Sequence, residues 1–257
     1  MKIVFIGAGN LAVHLSKALQ NAGFEITQVY SRTKTSAKEL ATKLHVPYTS
    51  EISRIDATAS LYLISVKDDA IESVIKKLPS TDGLVVHTAG SVPLNIFAGK
   101  FANYGVLYPL QTFSKSRFVD FSEIPVFLEA NTQDNLQILY KVSEAISHRV
   151  YEASSAERMK LHLAAVFGCN FVNLLLHFSA EIAKKAGFDF SVLSPLILET
   201  VHKAINSGNP KEVQTGPAIR NDQNLMRKHI DLLESQPRFQ EIYALLSENI
   251  RKQTCWV

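Results

Sequence analysis

Strand-like apolar runs alternate with helical segments along the first 153 residues, and this alternation constrains the fold more than any other feature. The runs, in chain order, are KIVFIG, EITQVYS, SLYLISV, GLVVHTA, YGVLYPL, PVFLEA and HRVYEA. Segments between several of them repeat apolar residues at helical spacing, at 10–22, 35–44, 68–78 and 132–147. This alternation is typical of a mostly parallel sheet with helices on both faces. We therefore predict a doubly wound α/β domain over residues 1–153.

After residue 153 the strand-like runs stop, and the remaining sequence has helical periodicity only. The predicted helices cover 155–186, 191–206, 222–234 and 237–252, with glycines and prolines between them. We therefore predict an all-α C-terminal domain over residues 154–257. Since ligand sites are frequent at domain interfaces, we expect the active site in a cleft between the two domains.

Composition narrows the class of protein. Two cysteines, Cys169 and Cys255, match neither a disulfide framework nor a metal-site spacing, which favours a reducing compartment and predicts a cytoplasmic protein. The formal net charge of +3, without a dense basic run, argues against a nucleic-acid partner. We also expect no stretch that approaches a membrane span. The apolar C-terminal domain favours a homodimer.

A glycine-rich turn follows the first strand directly. Gly7 allows the tight turn, and Gly9 lets a pyrophosphate approach the backbone at a helix N-terminus, where N–H groups favour an anion. Ala12 stands where this fingerprint takes its third small residue. The alternative is an ordinary tight turn of an α/β protein. The residues predicted to bind the cofactor here are Gly7, Ala8, Gly9, Asn10 and Leu11.

The end of the second strand indicates which dinucleotide binds. NAD-binding units usually have an acidic residue there to hold the ribose 2′-hydroxyl, whereas this strand ends in Ser31, Arg32 and Thr33. The planar fork of Arg32 can bind a 2′-phosphate through two hydrogen bonds. This pattern predicts NADP(H). Alternatively, Arg32 and Lys34 are ordinary surface cations.

Further candidates lie at the ends of later strands, because open α/β sheets bind ligands at their carboxyl ends. Ser65, Val66, Lys67 and Thr88 are predicted to face the cofactor. Asp68 and Asp69 are expected to cap the next helix. Secondary candidates are His87, Ser91 and Tyr108.

Several motifs together resemble those of a family of uncharacterised NADP oxidoreductases, over nearly the whole chain. They are GAGNLA, SRT, VKDDAI, HTAGS, YPLQTFS, HLAAVFGCNF and TGPAIRND. The resemblance implies a Rossmann-like domain followed by a C-terminal domain of unknown function. It also implies kinship with pyrroline-5-carboxylate reductases, ketopantoate reductases and β-hydroxyacid dehydrogenases. The family often has His where this chain has Tyr108.

The first C-terminal helix carries a polar stripe on an otherwise apolar surface. At about 100° per residue, one arc contains His162, Asn170, Asn173, His177 and Glu181. Similarity to ketopantoate reductases, which have Lys and Asn at the spacing of His162 and Asn170, implies that His162 donates a proton and Asn170 orients the substrate. Lys160 lies off the stripe. The alternative is that the stripe is a solvent-facing surface.

The motif TGPAIRND provides a third catalytic candidate. Arg220 can bind a substrate carboxylate or phosphate as a fork. Alternatively, Arg220 pairs with Asp222, which itself stands where it can serve as a helix N-cap.

These predictions favour an NADPH-dependent oxidoreductase that transfers a hydride to a small carbonyl or imine substrate. The alternative is an NADP(H)-binding redox sensor that acts through a protein partner without turnover.

Overall fold

The structure is a computed structural model that describes residues 1–117 and 119–253. The strands within these residues are β1 (Lys2–Ile6), β2 (Glu25–Tyr30), β3 (Tyr48–Thr49), β4 (Leu61–Ile64), β5 (Leu84–His87), β6 (Tyr104–Pro109), β7 (Val126–Ala130) and β8 (Val150–Glu152). Every strand-like run of the sequence contains one of them, so these predictions are confirmed. The additional strand, β3, has two residues, which is too short to produce an alternating pattern.

The strands form one sheet in the order β3-β2-β1-β4-β5-β6-β7-β8. Neighbouring strands are parallel except β6 and β7, which are antiparallel. The first six strands therefore have the order 3-2-1-4-5-6 of a dinucleotide-binding fold. The predicted mostly parallel, Rossmann-like sheet is confirmed.

Helices cover both faces of this sheet. They are α1 (Asn10–Asn21), α2 (Lys34–Leu44), α3 (Asp68–Lys77) and α4 (Gln133–Glu144). Residues of α1, α2 and α4 pack with Ile3 and Phe5 in one buried cluster, whereas α3 packs with Val4 and Ile6 in another. Because alternate side chains of β1 enter different cores, all four are fully buried, as expected for a doubly wound sheet.

The rest of the described chain contains helices and no strand after β8. These helices are α5 (Ser155–Ala165), α6 (Val172–Lys185), α7 (Ser194–Asn206), α8 (Gln223–Leu232) and α9 (Pro237–Gln253). The predicted all-α C-terminal region is confirmed. Spatial contacts divide the chain into compact units of residues 1–170 and 171–257, whereas the domain boundary at 153/154 stays a prediction.

A π-helical segment, Val166–Phe171, joins α5 to α6. The resulting helix, Ser155–Lys185, is long and apolar enough to cross a membrane, with a mean hydropathy of 1.6 over its most apolar window, none of which is buried. By length and composition, the expectation that no stretch approaches a membrane span is therefore wrong. The helix itself was predicted, but its polar stripe obscured how apolar the remaining residues are. The same test is passed by core helices of soluble proteins, and the absence of a membrane partner stays a prediction.

The structure describes one of the two cysteines. Cys169 lies in the π-helical segment, where it is exposed and not disulfide-bonded. Cys255 lies outside the described residues.

Candidate active site

The candidate site lies at the carboxyl end of the sheet, around β1 and β4. The chain proceeds from β1 towards β2 and β3 on one side, and β4, β5 and β6 lie on the other. Strand order therefore reverses at β1, and ligands of open α/β sheets bind outside the carboxyl ends of the strands at such a point.

Gly7 makes the turn after β1 possible. Its φ is +121°, and an added Cβ would overlap the backbone carbonyl of Ser65 at the end of β4. Its N–H donates a 2.7 Å hydrogen bond to the Tyr30 carbonyl. Ala8 is buried and Gly9 is exposed. The turn is thus held tightly against two neighbouring strands and opens towards solvent at Gly9.

The N-terminus of α1 follows immediately. Gly9 is the N-cap residue, no side chain caps the helix, and the first turn carries no acidic residue. The first N–H groups of this helix and its dipole therefore remain suited to an anion. Leu11, the fifth residue predicted to contact the cofactor, is half-buried against the core.

The loop after β6 is fastened to α1. The Asn10 side chain donates to the Phe113 carbonyl at 2.9 Å, and His14 Nε2 donates to the Ser114 carbonyl at 2.9 Å. Because the side chain of Asn10 binds the loop after β6, we expect Asn10 to contact the cofactor through its backbone.

Ser65 and Thr88 make hydrogen bonds within the protein, and their contact with the cofactor stays a prediction. Both are buried, and the Thr88 hydroxyl lies 3.3 Å from the Ile64 carbonyl and 3.4 Å from the Ser65 hydroxyl. These bonds tie the carboxyl ends of β4 and β5 together. Val66, next along the chain, is half-buried, and Lys67 is exposed.

Arg32 is exposed at the carboxyl end of β2. Ser31 is half-buried there, and its N–H donates to the Thr49 carbonyl of β3 at 3.2 Å. Thr33 is the N-cap residue of α2, without a side-chain capping bond. Among the described residues Arg32 has no carboxylate within 4 Å, so its guanidinium is available to a ligand.

The prediction that Asp68 and Asp69 cap α3 is wrong. The N-cap residue is Lys67, and no side chain makes a capping hydrogen bond there. Instead Asp68 Oδ2 accepts a hydrogen bond from the Ser91 hydroxyl. The helix begins one residue too early for Asp68 to cap it, and the carboxylate reaches the loop after β5.

A tyrosine and a histidine meet behind that loop. The Tyr108 hydroxyl on β6 lies 3.2 Å from His162 Nδ1 on α5. Burial, and then the negative charge of Asp68, raises the pKa of Tyr108 to about 12. Gly90 packs on the pair so closely that an added Cβ would lie 2.7 Å from Tyr108 Cζ and 3.0 Å from His162 Cβ.

Arg158 is a buried residue that the sequence analysis missed. Its guanidinium donates to the Ala89 carbonyl at 3.2 Å, the Val92 carbonyl at 2.6 Å and Glu129 at 2.5 Å. It thus anchors both sides of the loop that contains Gly90. In the sequence, Arg158 lies near the start of a predicted helix, where a surface cation is normal. No local pattern therefore indicated that its side chain is buried.

His87 at the end of β5 has a structural role. It is fully buried, and its Nδ1 accepts a 3.2 Å hydrogen bond from the Ala89 N–H. Burial first, and then the positive charge of Arg158, lowers the pKa of His87 to about 3. The side chain is therefore neutral near pH 7 and supports the loop without exchanging protons.

The π-helical segment alters the predicted polar stripe. His162 is half-buried in α5, whereas Asn170 is exposed in the π-helical segment, which has a wider turn than an α-helix. The single arc assumed α-helical geometry throughout, so that angular placement is wrong. Functional sites are frequent at such segments, and the roles of His162 and Asn170 stay predictions.

Arg220 is exposed in the loop before α8. Asp222 caps α8 by accepting a 3.0 Å hydrogen bond from the Leu225 N–H, as its capping alternative predicts. Within the described residues Arg220 makes no ion pair with Asp222. The two arginines predicted to bind anions, Arg32 and Arg220, lie in different compact units.

Two family models match the chain. The model of "NADP oxidoreductase coenzyme F420-dependent" matches residues 2–90, and that of a domain of unknown function, DUF2520, matches residues 124–250. No curated protein matches the chain.

Solved structures match it over nearly its full length. Putative NADP oxidoreductase BF3122 from Bacteroides fragilis is 46% identical, with a TM-score of 0.91 and 98% of each chain covered. An imine reductase from Myxococcus stipitatus in complex with NADP+ is 16% identical, with a TM-score of 0.71 and coverage of 99% of this chain and 94% of that one. A 1-pyrroline-5-carboxylate reductase from Streptococcus pyogenes is 15% identical, with a TM-score of 0.65 and 98% of each chain covered. The last two show similarity of fold.

Proposed function

Because the chain belongs to the NADP oxidoreductase family that includes the Bacteroides fragilis protein, we propose that it is an NADPH-dependent reductase of a small carbonyl or imine substrate. Its cofactor is NADP. When bound, NADPH supplies a hydride to the substrate.

The observation that carries this proposal is the uncapped N-terminus of α1 directly behind Gly7. Because Gly7 has no side chain, the turn packs directly against the Ser65 carbonyl and stays narrow. A pyrophosphate can therefore reach the backbone N–H groups. The guanidinium of Arg32, which pairs with no carboxylate in the described part of the chain, provides a fork for the 2′-phosphate. The residues present thus fit NADP.

The catalytic roles are proposed for His162, Asn170 and Arg220. His162 donates a proton to the reduced oxygen or nitrogen, and Asn170 orients that group by hydrogen bonding. Arg220 binds a carboxylate or phosphate of the substrate. Kinship with pyrroline and imine reductases at the level of fold supports imines, besides carbonyl compounds, as candidates.

A substrate screen tests the proposal. The purified protein is mixed with NADPH and with keto acids, imines or cyclic imines, and NADPH oxidation is followed by absorbance. Turnover of any substrate supports the reductase and excludes a pure redox sensor. If NADPH binds but no substrate in these three classes is reduced, the proposed reaction is wrong and the sensor hypothesis takes its place.

Three variants then test the catalytic residues. His162→Ala and Asn170→Ala are expected to keep NADPH affinity and to lower kcat, by about 10²–10⁴-fold for loss of a general acid. Lys160→Ala is the matched control, since Lys160 is exposed on the same helix and is expected to have little effect. Full activity of both site variants together with a large loss in the control would refute the assignment.

We further propose that the protein is a cytoplasmic homodimer in which residues 1–153 bind NADP and residues 154–257 bind substrate and dimerise. One face of α7 exposes Leu198, Val201 and Ile205, with exposed fractions of 56, 42 and 72%. Soluble monomers rarely expose large continuous apolar patches. Leu198→Glu is therefore expected to convert a dimer to a monomer in light-scattering chromatography, and a monomeric wild type would refute this assignment.

A further inference from the structure

The Tyr108 and His162 pair has an asymmetry that the proposed function does not explain. The hydroxyl of Tyr108 contacts only one of the two ring nitrogens of His162, Nδ1, at 3.2 Å. Tyr108 itself is 8% exposed, whereas His162 is half-buried. The tyrosine is therefore the inner member of the pair and the histidine is the accessible one.

Among the described residues His162 Nδ1 is the hydrogen-bond partner of the buried Tyr108 hydroxyl, and because a buried O–H needs an acceptor, Tyr108 is the donor. The pKa of about 12 means that its hydroxyl keeps its proton throughout the neutral range. A neutral imidazole accepts a hydrogen bond only at its unprotonated nitrogen. When Tyr108 donates to Nδ1, the ring proton must therefore lie on Nε2.

We infer that Tyr108 is a positioning residue that holds neutral His162 in the Nε2–H form and directs Nε2 away from the protein core. This inference rests on the proposed function where it makes Nε2 the atom that meets the substrate. When the Nε2 proton passes to the substrate, Nδ1 takes up the hydroxyl proton of Tyr108, so the ring stays neutral and water then reprotonates the tyrosinate. The tautomer itself is a property of the free protein. The second nitrogen of a functional histidine commonly has a fixed partner that sets its tautomer.

Gly90 holds the two side chains in contact. A Cβ at this position would lie 2.7 Å from Cζ and 2.9 Å from the hydroxyl of Tyr108, closer than real Cβ atoms approach other atoms. The only free adjustment is a displacement of the Tyr108 ring end, since the loop backbone on either side is bonded to Arg158. Gly90→Ala should therefore separate the pair while both side chains remain present.

The test is a two-bond ¹H–¹⁵N correlation spectrum of the full-length protein with ¹⁵N-labelled histidine, recorded above the histidine titration range. His162→Gln assigns the signals among those of eight histidines. The inference predicts a protonated Nε2 and a hydrogen-bonded, unprotonated Nδ1 for His162. Tyr108→Phe and Gly90→Ala should each move the Nδ1 signal towards that of a free acceptor nitrogen.

Tyr151→Phe is the matched control, because Tyr151 is an exposed tyrosine on the same sheet whose ring stacks on Phe127. It should leave the His162 signals unchanged. An Nδ1-protonated His162 in the wild type, or an unchanged His162 spectrum in Tyr108→Phe, overturns the inference. An unchanged spectrum in Gly90→Ala alone overturns the role given to Gly90.

Kinetics add a second readout. With a substrate found by the screen, Tyr108→Phe should lower kcat by at least about 2-fold, the minimum for one lost neutral hydrogen bond, with the NADPH affinity unchanged. An unchanged kcat overturns the positioning role. Because the spectrum needs no substrate, absence of turnover in the wild type would refute the proposed function separately from the tautomer.

Discussion

Replacement of Arg158 by methionine should destabilise the sheet unit more than any exposed ion-pair change. The Arg158 side chain is 1% exposed and pairs with Glu129, which is 19% exposed. Removing one partner of a buried pair costs about 3–5 kcal/mol, because the other charge is left unpaired. The Ala89 and Val92 carbonyls also lose their donor. We expect a total loss of about 4–6 kcal/mol, a large part of the roughly 5–15 kcal/mol typical of folded proteins.

The assay is urea unfolding followed by far-UV circular dichroism. Arg149→Met is the matched control, because Arg149 pairs with Glu123 at 3.0 Å and both side chains are more than half exposed. Such exposed pairs contribute about 0–1 kcal/mol. Should Arg158→Met be insoluble, Glu129→Gln provides the same test, because it leaves the buried guanidinium without its counter-charge. Equal losses for the buried and exposed pairs would refute the reasoning.

Two further predictions concern His87 and Gly7. His87 has its ordinary pKa of 6.5 in the unfolded chain and a pKa of about 3 in the folded chain. The unfolded chain therefore binds a proton first as the pH drops, so the free energy of unfolding should fall between these two pH values. The free energy of unfolding should fall by at most about 1.4 kcal/mol per pH unit. Measured by urea unfolding, this fall should be smaller in His87→Gln. An equal fall in the variant would assign the acid sensitivity to other groups. Gly7→Ala should abolish NADPH binding or folding, because a Cβ would overlap the Ser65 carbonyl at a φ of +121°. Calorimetric titration with NADPH checks this, and wild-type affinity would contradict it.

The sequence predicted the sheet well because its strands are buried on both faces and therefore read as continuous apolar runs. The run containing β1 shows this, since Ile3 to Ile6 are all fully buried. In contrast, β3 was missed because its two residues include an exposed tyrosine. The direction of β7, antiparallel to β6, also has no counterpart in local sequence patterns.

The site was predicted only in part, because its contacts join distant positions. Tyr108 and His162 are 54 positions apart, and no single-sequence pattern pairs them. Arg158 has the local context of a surface residue, although its carbonyl partners lie 66 and 69 positions away. The cap predicted at Asp68 failed because the helix boundary differs by one residue. Local spacing locates a helix, whereas the partner of a polar side chain depends on tertiary packing.

The central claim, that the glycine turn and Arg32 bind NADP, is tested most directly by calorimetric titration with NADPH and NADH side by side. The 2′-phosphate should make NADPH bind more tightly by roughly 10–150-fold, equivalent to about 1.5–3 kcal/mol for a hydrogen bond to a charged group. Arg32→Glu should reverse this preference by replacing the cation with a carboxylate that can bond the ribose hydroxyl. Equal affinity of the wild-type protein for the two nucleotides would contradict the assignment of Arg32.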